Sequence, residues 1–215
     1  MPKIGVFDSG VGGLSVTNAI KKALPNEEVI YVEDKKNIPY GLKTPDELFK
    51  LVLPILEDLQ EKTDVIVVAC NTVSTTLIEK LREKLHVPLV AMEPMVKPAA
   101  EQTKTGVIAV CATPTTLGSK RYAWLKQEFA RGIKVVEPDC SRWTSMIEAD
   151  EVDHQIIAKE IKNALSQQAD VIVLGCTHYH WIEEEINEIA EGRAKVLQPE
   201  QPVINQLKKI LNISS

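Results

Sequence analysis

The chain has 215 residues, of which 44% are hydrophobic and 26% are charged, and its formal net charge is −5. These are globular proportions, and they exclude a disordered chain, a collagen-like fibre and a small disulfide-stabilised protein. The mild negative charge argues against a dedicated binder of nucleic acid or of an anionic membrane surface. We therefore expect a small-molecule ligand, with neither nucleic acid nor membrane as a partner.

The apolar runs have the length of a strand, far below the roughly 18 residues of a membrane-spanning helix. The chain runs directly into a strand pattern without a signal peptide, so we expect a cytoplasmic protein. In that compartment the four cysteines should be reduced thiols. No two of them have CxxC spacing, which argues against a structural metal site or a redox motif. The cysteines are Cys70, Cys111, Cys140 and Cys176.

The predicted elements alternate between strand and helix along the whole chain. In the first half, a capping-box pattern at Thr44 and Glu47 marks one helix start. Predicted strands cover residues 3–7, 28–32, 64–69 and 88–91, and predicted helices cover 14–24, 44–61 and 75–85. In the second half, predicted strands cover 105–110, 133–136 and 170–175, and predicted helices cover 119–128, 153–168 and 181–191. Strands that alternate with helices, and that read as continuous Val/Ile runs, indicate parallel sheets covered on both faces.

An internal repeat divides the chain into two similar halves. The segment DVIVVACNT at residues 64–72 aligns with DVIVLGCTH at residues 170–178, and a Gly-Val strand opens each half at Gly5 and Gly106. The repeat predicts two pseudo-symmetric α/β domains with parallel sheets and an active site in the cleft between them. A single DVIV run is also typical of any buried strand, but a cysteine at the same place after both strands is a more specific signal.

Both repeated cysteines are predicted where a strand ends and a helix begins, which is where parallel sheets bind ligands. The amide groups of such a turn should lower the pKa of a thiol from about 8.5 towards neutrality. Two thiols that face each other suit the inversion of a carbon centre through a planar carbanion, with a base on one face and an acid on the other. Candidate donors for the substrate carboxylate are Ser9, Asn71, Thr72 and Thr177.

Five motifs in the expected order resemble those of the glutamate racemase family. The resemblance extends from about residue 3 to about residue 187. The motifs are IGVFDSGVGGLSV at residues 4–16, PYG at 39–41, ACNT at 69–72, ATP at 112–114 with Thr116, and GCTHY at 175–179. The resemblance implies interconversion of L- and D-glutamate without a cofactor or metal, and supply of D-glutamate for peptidoglycan synthesis.

The resemblance also implies roles for individual residues. Cys70 would deprotonate D-glutamate with help from Asp8, and Cys176 would deprotonate L-glutamate with help from His178 and Glu148. The implied substrate-binding residues are Asp8, Ser9, Tyr40, Gly41, Asn71, Thr72, Thr113, Thr116, Thr177 and His178. The implied fold has a first domain of residues 1–93 plus 200–215 and a second domain of residues 94–199, in a homodimer.

Three stretches depart from the family pattern. His180-Trp181 replaces a Pro-Leu pair, Lys35-Lys36-Asn37 lies between Asp34 and Pro39, and Leu197-Gln198-Pro199 replaces an Asp-Ser pair. Other functions therefore stay open: a racemase of aspartate or a hydantoin, a non-catalytic amino-acid-binding relative, or a thiol-dependent lyase or decarboxylase. Asp8 as a helix cap and His178 in a local hydrogen bond are the structural alternatives for those two side chains.

Overall fold

The computed structural model describes residues 1–213, which form eight strands and ten α-helices. All strand pairs are parallel, and the strands form two four-stranded sheets in the orders β2-β1-β3-β4 and β6-β5-β7-β8. The strands are β1 (Lys3–Asp8), β2 (Glu28–Glu33), β3 (Val65–Val68), β4 (Leu89–Ala91), β5 (Val107–Ala112), β6 (Lys134–Val136), β7 (Val171–Gly175) and β8 (Lys195–Leu197). The predicted pair of parallel α/β units is confirmed.

The helices cover both faces of each sheet, and three 3₁₀ turns interrupt the connections. The helices are α1 (Gly13–Ala23), α2 (Pro45–Gln60), α3 (Asn71–Arg82), α4 (Val96–Gln102), α5 (Pro114–Leu117), α6 (Lys120–Phe129), α7 (Trp143–Glu148), α8 (His154–Ser166), α9 (Glu183–Ala190) and α10 (Glu200–Ile210). The 3₁₀ turns are Lys35–Asn37, Tyr40–Leu42 and Thr177–Ile182. Within residues 1–213, no helix is long and apolar enough to cross a membrane.

Burial on both sides explains the continuous Val/Ile runs of the central strands. In β3, Val65 and Val67 pack into the core on one face, and Ile66 and Val68 pack into the core on the other. Alternate residues of a strand point to opposite faces, so a strand covered on both sides needs an apolar residue at every position. The strand β7 is buried in the same way.

Most predicted elements lie within two residues of the observed ones, and the capping box at Thr44 and Glu47 is present at the start of α2. The predicted start of the helix at residue 75 is wrong, because α3 begins at Asn71 and Cys70 is its N-cap residue. Asn and Thr are weak helix formers, which hid this start. Only Ala69 and Cys70 separate the end of β3 from the start of this helix. The sequence analysis omitted β8, the three short helices α4, α5 and α7, and α10.

We call the first sheet with the helices packed on it the first lobe, and the second sheet with its helices the second lobe. The chain crosses from the first lobe to the second between β4 and α4, since Val96 and Ala99 of α4 pack on the second sheet. It returns between β8 and α10, because Val203 and Leu207 pack with the core of the first sheet. The boundaries 1–93 plus 200–215 and 94–199 stay a prediction, and residues 214–215 lie outside the described residues.

Candidate active site

The carboxyl ends of both central strand pairs meet where the two lobes face each other. Asp8 ends β1, Cys70 follows β3, and Thr113 and Cys176 follow β5 and β7. This is the edge at which open parallel sheets bind ligands. The topology therefore brings residues that are far apart in sequence into one enclosed site.

Cys70 lies at the N-cap position of α3 and is 5% exposed. Its thiol donates to the Ser9 hydroxyl, with 3.6 Å between Sγ and Oγ. Burial and the nearby Asp8 carboxylate raise the pKa of Cys70 to about 12. The expectation of a lowered pKa is wrong for this thiol. The amide groups of the α3 turn favour the thiolate, but the loss of solvation and a neighbouring negative charge outweigh them.

Cys176 follows β7 and is 7% exposed. Two polar side chains of the second lobe approach its sulfur, each with its nearest atom 3.8 Å from Sγ: Thr144 Oγ1 and His178 Nδ1. The neighbours differ from those of Cys70, which faces a hydroxyl and a carboxylate. Cys176 therefore has an imidazole and a hydroxyl beside its sulfur.

Glu148 and His178 form a buried pair next to Cys176. His178 Nε2 lies 2.5 Å from Glu148 Oε1, and the backbone amide of Val11 donates to the same oxygen at 2.9 Å. Burial opposes both charges, but the hydrogen bonds to Cys176 and Glu148 raise the pKa of His178 to about 10. The same pair lowers the pKa of Glu148. The imidazole is therefore held as a cation at neutral pH.

The glycine-rich turn after β1 packs directly on this pair. A Cβ atom at Gly10 would collide with Glu148 Oε1, and one at Gly12 would lie 2.6 Å from the backbone nitrogen of His178. Only glycine permits so close an approach of the two chains. The glycines of this turn therefore allow the close packing of the two lobes.

Asp8 connects the two lobes through Thr177. The Thr177 hydroxyl lies 3.1 Å and 3.3 Å from the two carboxylate oxygens of Asp8. Burial raises the pKa of Asp8, although the positive charge of His178 works against that rise. Asp8 therefore acts on Cys70 through its charge, while its hydrogen bond goes to the residue that follows Cys176.

A cluster of hydroxyl groups joins the lobes on the Cys70 side of the site. Thr72 Oγ1 lies 2.9 Å from Thr113 Oγ1 and 3.4 Å from Thr116 Oγ1. A Cβ atom at Gly41 would lie 2.6 Å from Thr113 Cβ, and the Thr115 hydroxyl donates to the Gly41 carbonyl at 2.7 Å. The predicted residues Thr72, Thr113, Thr116 and Gly41 are thus in mutual contact.

Asn71 is buried, and neither its amide nitrogen nor its amide oxygen has a partner among the described residues. A buried amide without partners costs free energy, which makes Asn71 a candidate for contact with a ligand. Tyr40 is buried nearby, and its hydroxyl donates to Asp34 Oδ2 at 2.6 Å. Its ring belongs to the same buried cluster as Cys70, while its hydroxyl is engaged by Asp34.

Sequence reasoning missed Thr144 as a neighbour of Cys176. Thr144 and Glu148 are four residues apart on α7, and residues at this spacing lie on one face of a helix. Once Glu148 is a candidate, that spacing identifies Thr144. Sequence reasoning also missed Thr115, because its contact with Gly41 depends on how the lobes meet. Within residues 1–213, no group of three or more His, Cys, Asp or Glu side chains is arranged to hold a metal ion.

Comparison with known proteins places this architecture in one family. The family model for Asp/Glu/hydantoin racemases matches residues 4–206. The glutamate racemase of Pseudomonas syringae pv. tomato is 38% identical over 98% of this chain and 79% of its own length. That of Herpetosiphon aurantiacus is 38% identical over 97% of this chain and 84% of its own.

Solved structures give the same result. Escherichia coli glutamate racemase, in complex with L-glutamate and the activator UDP-MurNAc-Ala, matches with a TM-score of 0.90 at 30% identity, covering 100% of this chain and 84% of that one. Aquifex pyrophilus glutamate racemase matches with a TM-score of 0.79 at 32% identity over 97% and 83% of the two chains. The chain therefore belongs to the Asp/Glu/hydantoin racemase family, where it groups with the glutamate racemases, and it is an isomerase.

Proposed function

We propose that this protein racemises glutamate at Cα by a two-base mechanism in which Cys70 and Cys176 act on opposite faces of the substrate. The observation that carries the proposal is the pair of buried thiols at equivalent positions after β3 and β7, in a site that both lobes enclose. Each thiol has its own polar neighbours, so each half-site can hold a different protonation state.

The chemical step needs one thiolate and one thiol. With D-glutamate, the Cys70 thiolate takes the Cα proton, and the electron pair of the broken C–H bond moves into the planar carbanion and its carboxylate. The Cys176 thiol then donates its proton to the opposite face, and Cα has inverted. Cys70 ends as the thiol and Cys176 as the thiolate, which is the state required for L-glutamate.

The thiolates of Cys70 and Cys176 have different electrostatic surroundings. The high pKa of Cys70 makes its thiolate rare but strongly basic, and a substrate ammonium group near Asp8 would offset the negative charge that raises this pKa. On the other side, the His178 imidazolium stabilises the Cys176 thiolate, and Glu148 holds that imidazolium in place. Glu148 is thus a positioning residue in this proposal.

Recognition of the substrate carboxylates rests on neutral donors. Asn71 offers a buried amide whose nitrogen and oxygen have no hydrogen-bond partner among the described residues. Preorganised donors in a site shielded from water stabilise the charge that develops on the carboxylate as the carbanion forms. The donors proposed are Ser9, Asn71, Thr72, Thr113, Thr116 and Thr177, with Tyr40 and Gly41 shaping the wall.

In the cell, we propose that the product D-glutamate supplies peptidoglycan synthesis in the cytoplasm and that the enzyme acts as a homodimer. The named relatives support the substrate and hence this role. Light scattering of the purified protein measures the oligomeric state independently of activity.

The test is proton NMR of L-glutamate and of D-glutamate, separately, in D₂O, with circular dichroism in parallel. We expect loss of the Cα proton signal from both enantiomers and decay of the optical signal to zero. The variants Cys70→Ser and Cys176→Ser should each abolish racemisation. Cys111→Ala, which changes a buried thiol outside the site, is the matched control and should keep it.

Racemisation that persists in both serine variants would contradict the two-base mechanism. Proton exchange without inversion would mean that only one thiol acts as a base. Turnover of aspartate or a hydantoin in place of glutamate would refute the substrate, and glutamate binding without proton exchange would refute catalysis altogether.

A further inference from the structure

A second contact between the lobes lies outside the proposed catalytic residues. His180 Nδ1 is 2.9 Å from the Ser15 hydroxyl and 3.5 Å from Glu200 Oε1. The side chain of His180 is 3% exposed, and its Nε2 atom has no partner among the described residues. The imidazole is therefore fixed by Nδ1 alone.

The two partners of His180 come from separate elements of the first lobe. Ser15 lies in the first turn of α1, directly after the glycine-rich turn, and its hydroxyl also lies 3.1 Å from the Gly12 carbonyl. Glu200 opens α10, just after the chain returns to the first lobe. His180 itself belongs to the Thr177–Ile182 turn of the second lobe. One side chain thus joins both elements of the first lobe to the turn that carries His178.

The surroundings of His180 contain two of the departures from the glutamate racemase pattern. Gln198 donates to Glu183 Oε2 at 2.7 Å, and Glu183 interacts electrostatically with both His180 and Glu200. His180 and Gln198 are both departures, and Glu183 connects them. The two altered stretches form one polar cluster at the second crossing between the lobes.

We propose that His180 is a positioning residue that holds the two lobes closed over Cys70 and Cys176 through its contact with Ser15. The functional importance of closure rests on the proposed two-thiol mechanism, but the contact itself does not. Cys70 and Cys176 are 5% and 7% exposed, so a molecule reaches them only when the lobes separate. Two other contacts cross the interface near Cys176, Asp8–Thr177 and Val11–Glu148, and both involve proposed active-site residues. The His180–Ser15 contact can be removed without touching the chemistry.

The experiment measures how fast iodoacetamide labels each of the four thiols, by peptide mass spectrometry, in the absence of glutamate. A buried thiol reacts through transient opening, so its labelling rate follows the population of the open form. His180→Ala should speed the labelling of Cys70 and Cys176 about fivefold, the factor that corresponds to one hydrogen bond of about 1 kcal/mol. Labelling of Cys111 and Cys140, which lie in the core of the second lobe, should not change.

Conservative variants test the geometry. The side-chain nitrogen of asparagine reaches the position of Nδ1 and that of glutamine the position of Nε2, so His180→Asn should restore slow labelling and His180→Gln should not. Ser15→Ala should match His180→Ala, and the double variant should add nothing further. The matched control is His154→Ala, which removes another histidine–glutamate pair, at 3.0 Å, between α8 and α9 of the second lobe. It should label like the native protein.

Equal acceleration at all four cysteines would assign His180 to general stability and overturn the proposal, as would unchanged labelling in His180→Ala and Ser15→Ala. If His180→Ala does not fold, the labelling rates of His180→Asn and His180→Gln test the proposal instead. Equal labelling rates in these two variants would also overturn the proposal. Labelling requires no turnover. If the protein fails to racemise glutamate but His180→Ala still speeds labelling of Cys70 and Cys176 selectively, only the proposed function is refuted.

Discussion

Replacing Glu148 by glutamine tests the electrostatics of the Cys176 half-site. The glutamine keeps an oxygen that can accept from His178 Nε2 and from the Val11 amide, so both hydrogen bonds can still form without the charge. What disappears is the negative charge. A hydrogen bond to a charged group contributes about 1.5–3 kcal/mol and a neutral one about 1 kcal/mol. The substitution should therefore cost about 1–2 kcal/mol, and the pKa of His178 should fall by about one pH unit, since one unit is about 1.4 kcal/mol.

The stability difference between the native protein and Glu148→Gln depends on pH in a defined way. The pKa of His178 is raised from 6.5 to about 10, so its contribution is complete below about pH 6.5 and is lost as pH rises towards 10. The pKa of Glu148 lies below its ordinary value of 4.5, so its contribution is complete above that pH and is lost as pH falls. The unfolded-state pKa of His178 is the same in both proteins and cancels, and the folded-state values differ by about one unit below 10, so the stability difference is largest from about pH 4.5 to 9 and shrinks on both sides.

The assay is urea unfolding of both proteins at several pH values, with NMR titration of the histidine ring protons. Glu185→Gln is the matched control, because Glu185 forms a similar pair with the exposed His154, and such surface pairs contribute little. We expect a change below 0.5 kcal/mol there. An unchanged His178 titration in Glu148→Gln, or a stability difference independent of pH from 5 to 10, would refute the reasoning.

Three further predictions follow from single contacts. Gly10→Ala should displace the Glu148 carboxylate and lower stability by about 1–3 kcal/mol, measured by thermal unfolding, and an unaltered melting temperature would contradict the close packing. Cys70 should contribute no ultraviolet thiolate absorbance up to about pH 10, because its pKa is about 12, and a thiolate signal below pH 9 in the difference between the native protein and Cys70→Ser would exclude that pKa. Thr44→Ala should cost about 1 kcal/mol in urea unfolding, since Thr44 caps α2, and no loss would mean that Glu47 caps without it.

The alternation of strands and helices was readable because it depends on local patterns. Runs such as VIVV at residues 65–68 are apolar at every position, which a strand buried on both faces requires. The element starts that were missed have weak local signals. The helix α10 packs on the first sheet through Val203, Ile204 and Leu207, and only that distant sheet shows where those side chains belong.

The candidate site was readable only in part. The repeat placed Cys70 and Cys176 at equivalent positions, and the motifs named their neighbours. The protonation of Cys70 was misjudged, because the sequence shows the helix N-terminus but not the burial or the Asp8 carboxylate beside the thiol. Likewise, Thr144 and Thr115 have no distinctive sequence context, and their roles come from distances across the fold.

The sequence by itself determined the parallel α/β plan, the two-fold repeat and the identity of the two thiols, because strand burial, turn chemistry and motif order are local properties of the chain. The tertiary structure alone decided how the two halves meet. The Glu148–His178 pair, the Asp8–Thr177 hydrogen bond and the contact of His180 with Ser15 join residues from different lobes or from distant parts of one lobe. Their energies depend on burial and on distances of a few ångströms, which exist only after both sheets have formed and packed against each other.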